Sequence, residues 1–166
     1  GFRYLTAGSE IKFLASNTVS SPVYGVSITN NLISNGSNYL VNNTGFYRIE
    51  LYNSNNSNNF PLENYGLSLN SSAPTLYLGS GNNINGTYSI ANNRFSFVVN
   101  GISNSSGSNT NFRLNIFGSL YGDNLSDSTI DNNGTSISFP NLTSTPKNFR
   151  VDLVINFNGS GTYTIT

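Results

Sequence analysis

NFRVDLVINF, residues 148–157, alternates apolar and polar side chains with a period of two. Phe149, Val151, Leu153, Ile155 and Phe157 fall on one side. Arg150, Asp152 and Asn156 fall on the other, and only Val154 breaks the pattern. Successive side chains of a strand point to opposite faces, so the stretch reads as a strand with one buried and one wetted face. Strands of parallel sheets are covered on both faces and read as unbroken apolar runs, so the alternation predicts antiparallel pairing.

The same period recurs upstream. GFYRIELYN (45–53) puts Tyr47, Ile49 and Leu51 inward and Arg48 and Glu50 outward. RFSFVVN (94–100) aligns Phe95, Phe97 and Val99, and FRLNIFG (112–118) aligns Phe112, Leu114 and Ile116. Shorter segments of the same kind are IKFLA, PVYGVSIT, YGLSLN, TLYLG, TYSIA, TSISF and TYTIT. No segment holds a helical period. About ten strands in 166 residues predict an all-β, antiparallel, jelly-roll-like β-sandwich, with residues 1–166 forming one domain. Asn-Gly pairs at 35–36, 85–86, 100–101, 133–134 and 158–159 supply the positive φ that tight hairpin turns require. STIDNNGTSISF (128–139) reads as one complete hairpin. The Asn/Ser stretches 53–59 and 103–111 read as exposed loops.

Composition narrows the function. Seven basic and seven acidic residues cancel, and charged residues total only 8%, against roughly a quarter in an ordinary domain. Without a basic patch to neutralise phosphates, nucleic acid is not an expected partner. No apolar run approaches the roughly 20 residues of a membrane helix, so membrane insertion is not expected either. Polarity comes instead from hydroxyls and amides: Asn alone accounts for 31 residues. Codon bias in an AT-rich genome would produce this, and so would a neutral surface facing sugars or protein. A secreted eukaryotic domain of this size often carries disulfides, so the absence of Cys points to a bacterial or viral surface protein, extracellular or surface-displayed.

The chain also has no His, which with the missing Cys removes most nucleophile–base pairs, zinc sites and proton shuttles. Ser9 and Ser144 each stand three residues before a lysine, Lys12 and Lys147, but neither pair lies in a segment with the helical period that would bring residues three apart onto one face. A carboxylate pair is what remains for hydrolysis, but Glu50 and Asp152 alternate with apolar residues and are expected to face solvent. No catalytic residue and no cofactor are assigned.

YGDNLSDSTIDNNG (121–134) stands out because Asp123, Asp127 and Asp131 lie close together. Hard oxygen ligands suit calcium, but the spacing is not that of an EF-hand loop. The competing reading is a turn in which Asx side chains bond their own backbone. This loop is also the first choice for ligand contact: Tyr121 as an aromatic face, with Asp123, Asn124 and Asp127 as polar groups for sugar hydroxyls. The Asn53–Asn59 loop with Phe60, Asn64 and Tyr65 is the alternative patch.

YLVNNTGFYRIELYN (39–53), followed by YGLSLN (65–70), resembles the globular heads of the tumour-necrosis-factor and complement type. The nearest flavour is the version that caps collagen-like spore-surface filaments and some phage fibres. Gly45 and Tyr47 match that family's Gly-x-Tyr opening of a long strand, and Leu67–Asn70 its later short strand and turn. Gly45 is expected to take a turn conformation closed to residues with a Cβ. The resemblance implies a ten-stranded jelly roll and a homotrimer, with Tyr52, Phe117 and Tyr121 as interface candidates. FRVDLVINFNGSGTYTIT (149–166) is similar in style to the last hairpin of chaperone-usher pilus subunits and pilus-tip lectins. The leading expectation is a non-enzymatic attachment head that recognises a host glycan or protein receptor; a pilus-tip lectin adhesin, or a purely structural trimerisation cap or capsid-type subunit, is the alternative.

Overall fold

The computed structural model describes residues 1–14, 22–27, 31–53 and 65–166. These divide into two compact units, residues 1–71 and 72–166. Among the described residues the one helical element is the 3-10 turn Gly107–Thr110; the rest of the regular structure is strand, paired antiparallel throughout.

The first unit contains β1 (Phe2–Leu5), β2 (Glu10–Ile11), β3 (Phe13–Leu14), β4 (Val23–Val26), β5 (Leu32–Ser34), β6 (Tyr39–Leu40), β7 (Gly45–Asn53) and β8 (Tyr65–Ser71). They form the sheets β1-β7-β8, β2-β6 and β3-β4-β5. Leu32, Val41, Phe46, Tyr47 and Leu67 are its buried centre. Along β7 the expected inward row does not persist. Phe46 and Tyr47 are both buried, because Phe46 stacks on Phe2 of β1 while the Tyr47 hydroxyl donates to the Asn43 carbonyl at 2.6 Å. Further along the strand, Leu51 is exposed. Gly45 opens β7 without left-handed backbone. A Cβ there would crowd only the Ser71 Oγ at 2.7 Å, the end of an exposed side chain that can turn away.

The second unit contains β9 (Thr75–Leu78), β10 (Asn83–Asn85), β11 (Thr87–Ser89), β12 (Arg94–Ile102), β13 (Asn111–Ile116), β14 (Ser119–Gly122), β15 (Asp131–Asn132), β16 (Ile137–Ser138), β17 (Lys147–Ile155) and β18 (Gly161–Ile165). One sheet runs β10-β9-β13-β14-β15, with β16 also on β13; the other runs β11-β12-β17-β18. Neither closes into a barrel. Between them lies an apolar layer of Leu76, Leu78, Phe112, Leu114 and Ile116 from the first sheet and Phe95, Phe97, Val99, Phe149, Val151 and Leu153 from the second, all buried. Phe139 joins the layers, with ring centroids 4.9 Å from Phe112 and 4.8 Å from Phe149. This is the sandwich packing that the alternation of residues 148–157 predicted. Among the described residues there are eighteen strands, more than the ten or so that the alternation predicted, because eight of them are short pieces of two or three residues.

Four local readings need correcting. The row opened by Phe149 ends early, because Ile155 is half-buried and Phe157 lies 57% exposed in the turn beyond β17. Asp152 sits on the outer face yet is buried, roofed by Arg94 and Arg150. Residues 128–139 are not a hairpin: β15 pairs with β14 and β16 with β13. Of the five Asn-Gly pairs only Asn158–Gly159 joins two strands that pair with each other. Asn100–Gly101 sits inside β12, where the register slips by one residue against β17 and Gly101 takes φ 73°; this is a β-bulge that glycine accommodates.

The proposed interface aromatics have local roles. Tyr52 covers Gly66 of the neighbouring strand, where a Cβ would lie 2.3 Å from the ring. Phe117 (φ 50°) and Gly118 (φ 83°) form the two-residue turn between β13 and β14. Tyr121 pairs with Leu114 and shares its inward face, half-buried.

Candidate functional site

The loop 123–130 leaves β14 and returns through β15, and its centre is a carboxylate. Asp123 is 6% exposed. Its Oδ1 accepts the backbone N–H groups of Leu125 at 3.1 Å, Ser126 at 2.6 Å and Asp127 at 3.3 Å. Its Oδ2 accepts the Ser128 N–H at 3.0 Å and the Tyr163 hydroxyl at 2.7 Å. Four successive amides converge on one anion because Ser126 and Ser128 take left-handed φ values of 57° and 68°. Such a backbone nest is an anion site; here the anion is the protein's own side chain.

The outer carboxylates repeat the device. Asp127 Oδ1 accepts the Thr129 N–H at 2.8 Å, and Asp131 Oδ2 accepts the Asn124 N–H at 2.7 Å. Asn124 Oδ1 in turn accepts the Thr135 N–H at 3.0 Å. The returning chain is held against β14 by Asp123 N–H to Thr135 carbonyl at 2.9 Å and by the Thr135 hydroxyl to the Asp123 carbonyl at 2.5 Å. This closeness requires Gly122, since a Cβ there would lie 1.8 Å from the Thr135 carbonyl oxygen. Two more bonds fasten the loop to β18: Ile130 N–H to the Gly161 carbonyl and Tyr163 N–H to the Ser128 carbonyl, each 3.0 Å.

Electrostatics follow the geometry. Burial by itself pushes the Asp123 carboxyl up. The Tyr163 hydroxyl and the N–H groups of Ser128, Ser126 and Asp127 outweigh it, and the group settles below the ordinary carboxylate value. Burial, then the bond to Asp123, raise the Tyr163 phenol well above the usual tyrosine value. Asp152 is likewise lowered: its burial is overcome by the Ser96 hydroxyl and by Arg150 and Arg94.

Beside the knot lies a cleft of about 240 Å³, lined by Ser126, Thr135, Ser136, Ile137 and Ser138 with Asp123 and Tyr163 at its base. Of the residues expected to contact ligand, Asp123 is the organiser beneath the cleft and Tyr121 faces the core. Asn124 and Asp127 stand exposed on the loop rim. The three aspartates turn onto backbone donors, and no group of three His, Cys, Asp or Glu gathers round a common point among the described residues. The alternative patch at residues 53–59, 60 and 64 lies outside the described residues apart from the backbone of Asn53, the last residue of β7; Tyr65 opens β8. The hydroxyls of segment 135–138 and the phenol of Tyr163 escaped the sequence reading. They line the cleft only because distant strands bring them there; a Ser/Thr-rich segment carries no local sign of it.

Compared with known protein families, curated proteins and solved structures, the chain matches none.

Proposed function

We propose that the chain is a non-enzymatic attachment domain of a bacterial or viral surface or fibre protein, and that it recognises a glycan on a host surface. The observation that carries this reading is the hydroxyl-lined cleft held on a locked loop. Ser126 and Ser136 present neutral donor–acceptor hydroxyls, and Thr135 and Ser138, whose protons go to the Asp123 carbonyl and Asn111 Oδ1, present acceptor oxygens, the chemistry that exchanges hydrogen bonds with sugar hydroxyls. The Asp123 knot fixes the loop before any ligand arrives, and a preorganised surface spends less ordering entropy on binding. Three copies would add avidity, as the resemblance of residues 39–53 implies; a mass of three chains by light scattering is the outcome that fits.

Glycan-array binding tests the reading, with Ser136→Tyr as the blocking variant, because Ser136 is exposed and lines the cleft. The wild type should give reproducible glycan hits, and the bulky side chain should weaken them at least tenfold without changing the melting temperature. Hits indifferent to Ser136→Tyr would remove the cleft from the mechanism.

A further inference from the structure

Ser136 also borders a second depression, on the outer face of the six-stranded sheet. Its volume is about 150 Å³, and Tyr77, Gly79, Asn111, Arg113, Leu120 and Ser136 line it. Its central charge is Arg113, at the middle of β13. Arg113 lies directly across from Tyr77 on β9.

Arg113 differs from the other arginines of this unit. Arg94 and Arg150 both close on Asp152, at 3.0 Å and 2.8 Å. Arg113 makes no ion pair among the described residues; its buried Nε–H has no hydrogen-bond partner, a state it shares with the Arg94 Nε–H, whose guanidinium is nevertheless paired through its terminal nitrogen. No acidic side chain lines the depression. A buried donor without an acceptor costs stability; here that donor is the Nε–H of a half-buried side chain. Such a group is retained at a cost that an incoming acceptor would offset.

The rest of the lining specifies that acceptor. A guanidinium presents parallel N–H groups that match a carboxylate bidentately. Asn111 Oδ1 is occupied by the Ser138 hydroxyl at 2.7 Å, which leaves the amide N–H₂ as a donor. Ser136 adds a hydroxyl, and Tyr77 and Leu120 supply an apolar wall. A cationic fork, two neutral polar groups and one aromatic ring fit a compact ring that carries a carboxylate and hydroxyls. An extended acidic peptide fits less well, because the depression holds only about 150 Å³.

We propose that the Arg113 depression binds the carboxylate of an acidic sugar. This rests on the glycan-binding reading above and names its substrate class. Arg113 holds the carboxylate, Asn111 and Ser136 meet hydroxyls, and Tyr77 faces the C–H side of the ring.

The test is a ¹⁵N NMR titration of the arginine Nε–H signals in the whole chain, with sodium glucuronate, glucose, acetate and inorganic sulfate. Glucuronate should shift the Arg113 signal saturably, glucose should leave it in place, and acetate and sulfate should bind at least tenfold more weakly. Arg113→Gln should abolish the response and Arg113→Lys should weaken it, because the charge survives without the fork. An Arg113 signal that ignores glucuronate, or answers acetate or sulfate equally, would overturn the proposal even if Arg113→Gln failed to fold. A parallel glycan array separates the two readings. Neutral hits alone overturn the acidic site and leave glycan attachment standing. A blank array with the NMR shift in place overturns attachment and leaves the site.

Discussion

Asp123 carries more of the second unit's geometry than any other single side chain, because five donors from two segments meet on it. Tyr163→Phe removes one of them and keeps the ring against Phe112. A hydrogen bond to a charged group is worth about 1.5–3 kcal/mol, and chemical denaturation should read a loss of that size. The pH dependence has a definite sign. Asp123 and Asp152 both titrate lower in the folded chain than the ordinary 3.8. Their contribution is therefore complete above about pH 4 and is lost as pH falls through the folded-state values. Tyr163 is raised, so its contribution holds below about pH 10 and is lost as pH climbs beyond it. Denaturation midpoints between pH 7 and pH 2.5 should fall, and Asp123→Asn should flatten part of that fall. Tyr163→Phe should remove the alkaline decline.

At the scale of elements, two glycines in strands separate crowding from backbone strain. Gly122 ends β14 where the chain returns at Thr135, and an added Cβ would meet backbone 1.8 Å away. Gly101 forms the bulge of β12 at φ 73°, with open space around it. Gly122→Ala should therefore cost about 3 kcal/mol or more, because neither strand can yield without losing its pairing. Gly101→Ala should cost about 1–2 kcal/mol, the penalty of left-handed backbone alone. Thermal melts of the two variants check the ranking, and equal costs would mean that the close approach at Gly122 relaxes. Element by element, period-two alternation located β12, β13 and β17, because a strand's faces are fixed by neighbours two residues apart. Turn chemistry was a weaker guide. Asn133–Gly134 does make a turn, with Asn133 at φ 57°, yet the strands on either side pair elsewhere. A dipeptide sets the backbone angle, whereas pairing depends on which strand edge is free.

Over the whole chain, the near absence of charge gives the remaining charges their meaning. Seven cations and seven anions leave little for long-range steering, so an unpaired guanidinium in a lined depression stands out against a neutral surface. The sequence by itself settled the all-β class, the antiparallel sense and the apolar rows of the second unit, because partition between core and water is decided residue by residue and repeats with the pleat. It also narrowed the candidate loop to residues 121–134. Only the tertiary structure decided that Asp123 is the floor of that loop, that Asp152 is roofed by arginines, and that Arg113 has no carboxylate partner among the described residues. Four of the five donors to Asp123 and one of the two arginines on Asp152 are local, but the partners that tie them to the rest of the unit lie 40 residues away for Asp123 and Tyr163 and 58 for Arg94 and Asp152. No local pattern records a neighbour at that separation: sheet pairing and layer stacking bring such groups together, and that contact sets whether a charge is paired, buried or left open.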